Sequence, residues 1–219
     1  GEGRNKAMEQ ATGDLIAFLD CDDQWFPEKL EKQVQVFLNS SSIMLVYSNY
    51  LKKIQETNYE FDAITELQPS GRVFNDALIH YPVGILTAII RKDVLKTLDH
   101  WFDPSLNLVE DYDFFMRIML IGDVKYLHEK LAMYREHQQN HTSRFRSDFP
   151  DEMMVALNKL KQMDGDQKYH DTIHQCIGNQ KVRRATYQFL YKHQHVSFLK
   201  DLYKNNVLSL PILFREYIH

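Results

Sequence analysis

The chain has 219 residues, of which 44% are hydrophobic and 26% are charged, so it can bury a core and is not a disordered polymer. Its formal net charge of −4 gives no general attraction to nucleic acid, and we expect no nucleic-acid partner. Two cysteines exclude a disulfide framework and a cysteine zinc site. The longest apolar runs cover about five residues, whereas a transmembrane helix needs roughly 20.

The first 147 residues alternate between helical and strand patterns, which predicts an α/β domain. Helices are predicted over 4–12, 27–39, 72–80, 91–98 and 110–121, and strands over 15–19, 43–50, 51–61, 85–90, 124–127 and 131–135. The run 15–19 is apolar without alternation, which is typical of a strand buried on both faces of a parallel sheet. In the helix over 27–39, the spacing predicts a buried stripe of Leu30, Val34 and Phe37 or Leu38.

From residue 148 onward the strand patterns disappear. Segments 149–163, 167–192, 196–205 and 210–217 all have helical spacing, so we predict a boundary between a domain at 1–147 and a helical extension at 148–219. Apolar stripes in the last helices, from Phe189 to Phe214, predict packing onto the α/β domain. A homodimer interface or a peripheral membrane contact is the alternative for these stripes.

Three carboxylates follow the predicted strand 15–19 within four positions, at Asp20, Asp22 and Asp23. Like charges this close repel unless a cation or strong donors offset them, and carboxylate oxygens are the ligands that Mg²⁺ and Mn²⁺ prefer. Ligands of open α/β sheets bind at the carboxyl ends of strands, where this turn lies. A metal site for a diphosphate is therefore one hypothesis. The other is a solvated turn in which Asp23 caps the next helix.

Three blocks of this sequence closely resemble family 2 glycosyltransferases of the GT-A fold. The first block has two parts, Arg4-Asn5 and then Ile16-Ala17-Phe18-Leu19-Asp20-x-Asp22-Asp23-x-Trp25-x-Pro27-x-Lys29-Leu30-x-x-Gln33. The second block is Glu110-Asp111-Tyr112-Asp113-Phe114, followed by Arg117. The third block is Leu131-Ala132-x-Tyr134-Arg135-x-His137-x-x-Asn140-x-Thr142-Ser143. They occur in family order over about residues 3–145. The family's opening strands have no match here, so we expect a GT-A-like sheet that is incomplete at its N-terminal side.

The resemblance implies a metal-assisted, inverting transfer of a sugar from a nucleotide-sugar donor, expected to be UDP-linked, to a hydroxyl acceptor. It places Asp22 and Asp20 at Mn²⁺ or Mg²⁺, adds Asp23, Arg135 and His137 to the donor site, and makes Asp111 the general base with Glu110 in support. Trp25 and Trp101 are candidate acceptor contacts, with packing as the alternative for each.

The biological setting implied by the resemblance is the synthesis of a polysaccharide or cell-surface glycan, with a glycan or lipid-linked acceptor. We expect a cytoplasmic location, with a peripheral contact to the membrane as an open alternative. Two other functions stay open at this point: a non-catalytic binding or assembly module that keeps the fold, and a metal-dependent nucleotidyltransferase. Metal dependence of nucleotide binding separates these functions.

Overall fold

The structure of the chain, a computed structural model, describes residues 1–137 and 147–192. By contacts within the chain it divides into two compact units, Gly1–Arg144 and Phe145–His219. The helices predicted over 196–205 and 210–217, with the apolar stripe of the tail, lie outside the described residues. The boundary predicted after residue 147 stays a prediction.

The first unit is a mixed α/β domain built on one curled sheet. Its elements are α1 (Glu2–Gln10), β1 (Leu15–Ala17), β2 (Gln24–Trp25), α2 (Lys29–Asn39), β3 (Ile43–Ile54), β4 (Tyr59–Asp62), α3 (Phe74–Ile79), a 3-10 turn (Ile85–Thr87), β5 (Ile89–Arg91), a second 3-10 turn (Lys92–Thr97), α4 (Glu110–Ile121) and β6 (Asp123–Glu136). The strand order is β1-β5-β3-β6-β2, and β4 pairs with β3. This architecture is the GT-A-like α/β fold that the sequence predicted.

The prediction of a parallel sheet around residues 15–19 was wrong. β1 has three residues, pairs antiparallel with β5, and lies at an edge of the described sheet. Only β3 and β6 pair in parallel among the described strands. Both sides of the apolar run are nevertheless covered: Ile16 and Phe18 are buried, and Leu15 and Ala17 pack against the apolar cluster of Phe37, Val46 and Ile89. Leu19 is 47% exposed where the chain enters the acidic turn.

Helix α2 confirms only part of the buried stripe that its apolar residues predicted. Phe37 is buried as predicted and Val34 is half-buried, but Leu30 and Leu38 are exposed. Lys29 and Gln33 are buried in their place. The Gln33 amide donates to backbone carbonyls of β3 and of the first 3-10 turn, and Lys29 donates to the Gln33 side chain, so these hydrogen bonds replace those to water.

Helix α4 is the main element of the core and has the predicted bounds. Eight of its residues are buried, and Phe114 and Phe115 pack around the ring of Phe18, with ring centroids 6.2 and 5.6 Å away. Gly122 is the C-cap of the helix and has an extended backbone, and its lack of a Cβ leaves room for the Met44 side chain, with which a Cβ would clash. Phe18 thereby fixes the strand before the acidic turn against the helix that carries Glu110 and Asp111.

The second unit is described as two helices, α5 (Phe149–Met163) and α6 (His170–Lys192). Their contact is apolar, and an ion pair between Arg184 and Asp151 lies beside it. Within residues 1–137 and 147–192, no helix has the length and apolar character needed to cross a membrane.

Candidate active site

The acidic turn after β1 holds its three carboxylates in three different environments. Asp20 Oδ1 accepts a hydrogen bond of 2.6 Å from Arg4 Nη2. Asp22 is 44% exposed, and its Oδ2 lies 3.3 Å from His137 Nε2. Asp23 is buried, and its Oδ1 accepts the backbone N–H of Arg135 at 3.1 Å. The turn is thus attached to the end of β6 through both Asp22 and Asp23.

The electrostatics of Asp23 follow from its burial. Desolvation raises the pKa of this carboxyl to about 6, the Arg135 N–H opposes the rise, and the charges of Asp22 and Asp20 add to it. The alternative in which Asp23 caps α2 was wrong, because that helix has Glu28 at its N-cap and no capping side-chain bond.

The second acidic segment is the first turn of α4. Asp111 Oδ1 accepts its neighbour's backbone N–H, from Tyr112, at 2.8 Å. Burial is the largest cause that raises the pKa of Asp111 to about 6, while the Tyr112 N–H and the charge of Arg4 lower it. A carboxyl that titrates near neutral pH can accept a proton from a substrate and release it again.

Arg4 joins the two acidic segments. One guanidinium nitrogen donates to Asp20 and another to Glu110 Oε1. Asn5 fixes the helix register, because its amide donates to the Phe102 carbonyl at 2.8 Å and accepts the Phe102 N–H at 3.0 Å. Arg4-Asn5 was part of the resemblance, but the sequence predicted no role for either residue. The pairing of Arg4 with Asp20 and Glu110 depends on the fold, because Glu110 is far from Arg4 in the sequence.

Two tyrosines close the space around Asp111, and sequence reasoning missed both. Tyr81 Oη donates to the Asp111 carbonyl at 3.4 Å, and its ring lies 4.9 Å from that of Tyr112. Tyr50 lies near enough to both carboxylates for the charges of Asp111 and Asp23 to raise its pKa, after burial as the main cause, to about 12. No motif in the sequence signals either tyrosine.

The two tryptophans predicted as acceptor contacts both make packing contacts. Trp25 Nε1 donates to the Leu86 carbonyl at 2.8 Å, and its ring lies 4.5 Å below Lys29 Nζ. Trp101 Nε1 donates to the Leu95 carbonyl at 3.2 Å. An acceptor role for either residue stays a prediction.

The metal hypothesis can be tested on the donors present. Among the described residues, no group of three or more His, Cys, Asp or Glu side chains is placed to hold a metal ion. Asp22 and His137 form a pair, and Asp20 points instead to Arg4. The Asp22 carboxylate fits Mg²⁺ or Mn²⁺ when a substrate phosphate and water complete the coordination, since Mg²⁺ is commonly held by one or two carboxylates plus phosphate oxygens. The His137 imidazole is a ligand better suited to softer transition metals.

Comparison with known proteins identifies the family. The sequence model described as Glycosyl transferase family 2 matches residues 1–98. An uncharacterized glycosyltransferase of Methanocaldococcus jannaschii is 32% identical over 158 residues, which cover 67% of this chain and 50% of that protein. The chain belongs to glycosyl transferase family 2. Its acidic turn and the helices and strands up to the second 3-10 turn all lie within the matched segment.

Two further relatives of this family 2 chain carry more specific names. The putative teichuronic acid biosynthesis glycosyltransferase TuaG of Bacillus subtilis is 31% identical over 133 residues, covering 60% of this chain and 50% of that protein. The UDP-Glc:alpha-D-GlcNAc-diphosphoundecaprenol beta-1,3-glucosyltransferase WfgD of Escherichia coli is 29% identical over 120 residues, covering 55% and 43%. The chain thus spans about half the length of the curated relatives it matches.

Proposed function

We propose that the chain forms the metal and acceptor side of a glycosyltransferase site, which moves a sugar from a UDP-linked donor to a hydroxyl acceptor with inversion. The observation that carries the proposal is the Arg4 link between Asp20 and Glu110. It holds the acidic turn beside the first turn of α4, so a group suited to a cation and a group suited to a proton lie in one network.

In this proposal Asp22 and His137 bind Mn²⁺ or Mg²⁺ together with the donor diphosphate. A cation held there would supply positive charge to offset the charge that develops on the departing diphosphate. Asp23 and Arg135 keep the turn on β6 through their hydrogen bond. Asp20 acts through Arg4, which holds its carboxylate, and a direct metal contact for Asp20 stays a prediction.

Asp111 is the proposed general base. As the acceptor hydroxyl oxygen attacks the anomeric carbon, the bond from that carbon to the diphosphate oxygen breaks, and the hydroxyl proton moves to an Asp111 carboxylate oxygen. Burial supports this role because it brings the pKa of Asp111 to about 6 and thus closer to neutral pH. Glu110 supports the base by fixing Arg4, whose charge keeps Asp111 ionised at neutral pH.

The names of the relatives suggest the acceptor class. The Escherichia coli relative is named for the acceptor alpha-D-GlcNAc-diphosphoundecaprenol, and the Bacillus subtilis relative for teichuronic acid biosynthesis. We infer a glycan or lipid-linked glycan acceptor and a role in cell-surface glycan synthesis. A peripheral membrane contact and a homodimer remain predictions.

Titration calorimetry of UDP with this chain, with and without Mn²⁺, tests the proposal. We expect binding that needs Mn²⁺ and is lost in Asp22→Ala and weakened in His137→Ala. Asp93→Ala is the matched control, since Asp93 is an exposed carboxylate that pairs with Lys96. Absence of UDP binding in every condition, or binding that Asp22→Ala leaves unchanged, would contradict the proposed site.

A further inference from the structure

Lys29 is a fully buried lysine at the start of α2, with 0% of its surface exposed. Its ammonium donates a hydrogen bond of 2.6 Å to Gln33 Oε1 and lies 4.5 Å from the centre of the Trp25 ring. Within the described residues it forms no salt bridge. A buried ammonium without a carboxylate is costly, so the ring and the amide are the groups that stabilise its charge.

Both groups that face the ammonium are themselves fixed to the backbone. Gln33 Nε2 donates to the carbonyls of Thr87 at 2.8 Å and Val46 at 3.3 Å, which leaves its oxygen for Lys29. Trp25 Nε1 donates to the Leu86 carbonyl. The Lys29 ammonium therefore lies in a binding site whose groups are already fixed by α2, β2, β3 and the 3-10 turn before β5.

This ammonium site is connected to the acidic turn through β2. Trp25 pairs with Ala132 of β6 and follows Asp22 and Asp23 by three and two positions. When the Trp25 ring is held in place, the backbone of Trp25 is held too. Because Asp23 and Asp22 lie only two and three positions earlier in the chain, their positions are restricted as well. Phe26, which follows Trp25, donates its backbone N–H to the Leu131 carbonyl at 2.9 Å and so adds a second contact between this segment and β6.

We propose that Lys29 is a positioning residue for the acidic turn, whose ammonium binds the face of Trp25 and so fixes Asp22 and Asp23 against β6. The proposal deepens the metal site of the proposed function, because the order of the turn sets how tightly it holds a cation and a diphosphate. The residue touches neither substrate nor metal.

The charge of Lys29 depends on pH in an accessible range. Burial alone lowers the pKa of this ammonium to about 7, whereas the face of the indole favours the charged form. The groups that face it, the Gln33 amide and the Trp25 ring, do not titrate. The contact is therefore present at pH 6 and weakened or lost at pH 9, so any effect of the charge must vanish with rising pH.

Emission of Trp25 tests the contact itself. Trp101→Phe leaves Trp25 as the single tryptophan of the chain, which has two. We expect its emission to titrate between pH 6 and 9 and to lose this titration in Lys29→Met, whose side chain has a similar length and no charge. Lys32→Met, which removes an exposed lysine of the same helix, keeps the titration. An unchanged titration in Lys29→Met, or none in the parent, would overturn the contact.

The mobility of the acidic turn tests the positioning. Cys21 lies exposed in that turn, and Cys176→Ala leaves it as the single thiol for a nitroxide label. At pH 6 we expect a more mobile label in Lys29→Met than in the parent, and at pH 9 equal mobility in the two. A difference of the same size at both pH values would reveal a packing role only, and no difference at pH 6 would refute the proposal.

Binding of UDP with Mn²⁺ gives the functional consequence, and this step rests on the proposed function. Lys29→Met should weaken it about tenfold at pH 6, within the range of a cation–π contact, and should match the parent at pH 9. The ratio of the UDP affinities of the two proteins at each pH cancels the effect of other groups that titrate in both. If the parent binds no UDP, the proposed function fails, while the label on Cys21 still decides the positioning.

Discussion

The two acidic segments of the first unit contain the same residue types but differ in how the fold holds them. The Asp20–Asp23 turn follows a three-residue edge strand, and its Asp22 is 44% exposed. Glu110 and Asp111 open a twelve-residue helix of which the next eight residues are buried. The turn depends on contacts from α1, β2 and β6 for its shape, whereas the helix is fixed along its whole length.

In the proposed function, this difference gives the carboxylates of the two segments different roles. An exposed carboxylate beside an imidazole keeps its affinity for a hydrated cation, because little desolvation must be reversed. The half-buried Asp111 carboxylate at a helix N-terminus experiences two opposed effects, since the helix dipole favours the anion and desolvation disfavours it. Burial dominates at Asp111 and raises its pKa to about 6. Arg4 links the two segments by donating to Asp20 of the turn and to Glu110 of the helix.

The largest effect is expected from removing the proton acceptor. Asp111→Asn keeps the shape of the side chain and should lower turnover by about 10²–10⁴-fold, the usual contribution of a general base. The affinity for UDP with Mn²⁺ should stay unchanged, because the amide replaces a group on the acceptor side. Steady-state kinetics with a UDP-sugar and calorimetry with UDP measure the two quantities. Asp76→Asn, at an exposed position of α3, is the control. Equal losses of turnover and UDP affinity would place Asp111 on the donor side instead.

A smaller effect, on stability, is expected from the anchor of α4. The buried Arg117 donates to Asp113 Oδ2 at 2.8 and 3.1 Å and to the carbonyls of His100 and Trp101, so it ties the helix to the loop before Glu110. Arg117→Met leaves the Asp113 charge buried and should lower the free energy of unfolding by about 3–5 kcal/mol. Urea unfolding of both variants measures it.

The matched control is Arg72→Met, which breaks the exposed pair with Asp123 at 2.9 Å and should cost about 1 kcal/mol or less. Similar losses in the two variants would mean that the buried pair adds nothing beyond a surface pair.

Sequence patterns predicted helix α4 better than the contacts of the acidic turn. The period of α4 gave its bounds of Glu110–Ile121, because the apolar spacing of a buried helix is local information. The partners of the turn come from α1, β2 and β6, which are far apart in sequence. The motif therefore identified Asp20, Asp22 and Asp111 as candidates, but not the link through Arg4 or the tyrosines beside Asp111.

The stripe of α2 shows a second limit of the same kind. Hydrophobic spacing predicted that Leu30 is buried, but the position before it, Lys29, takes the interior. An apolar count cannot see that Gln33 and Trp25 stabilise an ammonium in that place, because the stabilisation comes from hydrogen-bond geometry and from a ring face.

The smallest effect is expected from Arg4, the residue that links the two segments, and it concerns pH. Turnover should rise with pH through about 6 as Asp111 ionises, and the charge of Arg4 holds that midpoint down. Arg4→Met removes the charge and should move the midpoint upward by less than about one pH unit, since Arg4 is partly exposed and such pairs contribute about 1 kcal/mol or less. Lys6→Met removes an exposed charge from the same helix and should leave the midpoint in place. A downward shift, or an equal shift in Lys6→Met, would mean that Arg4 does not act on Asp111 and that the two acidic segments titrate independently.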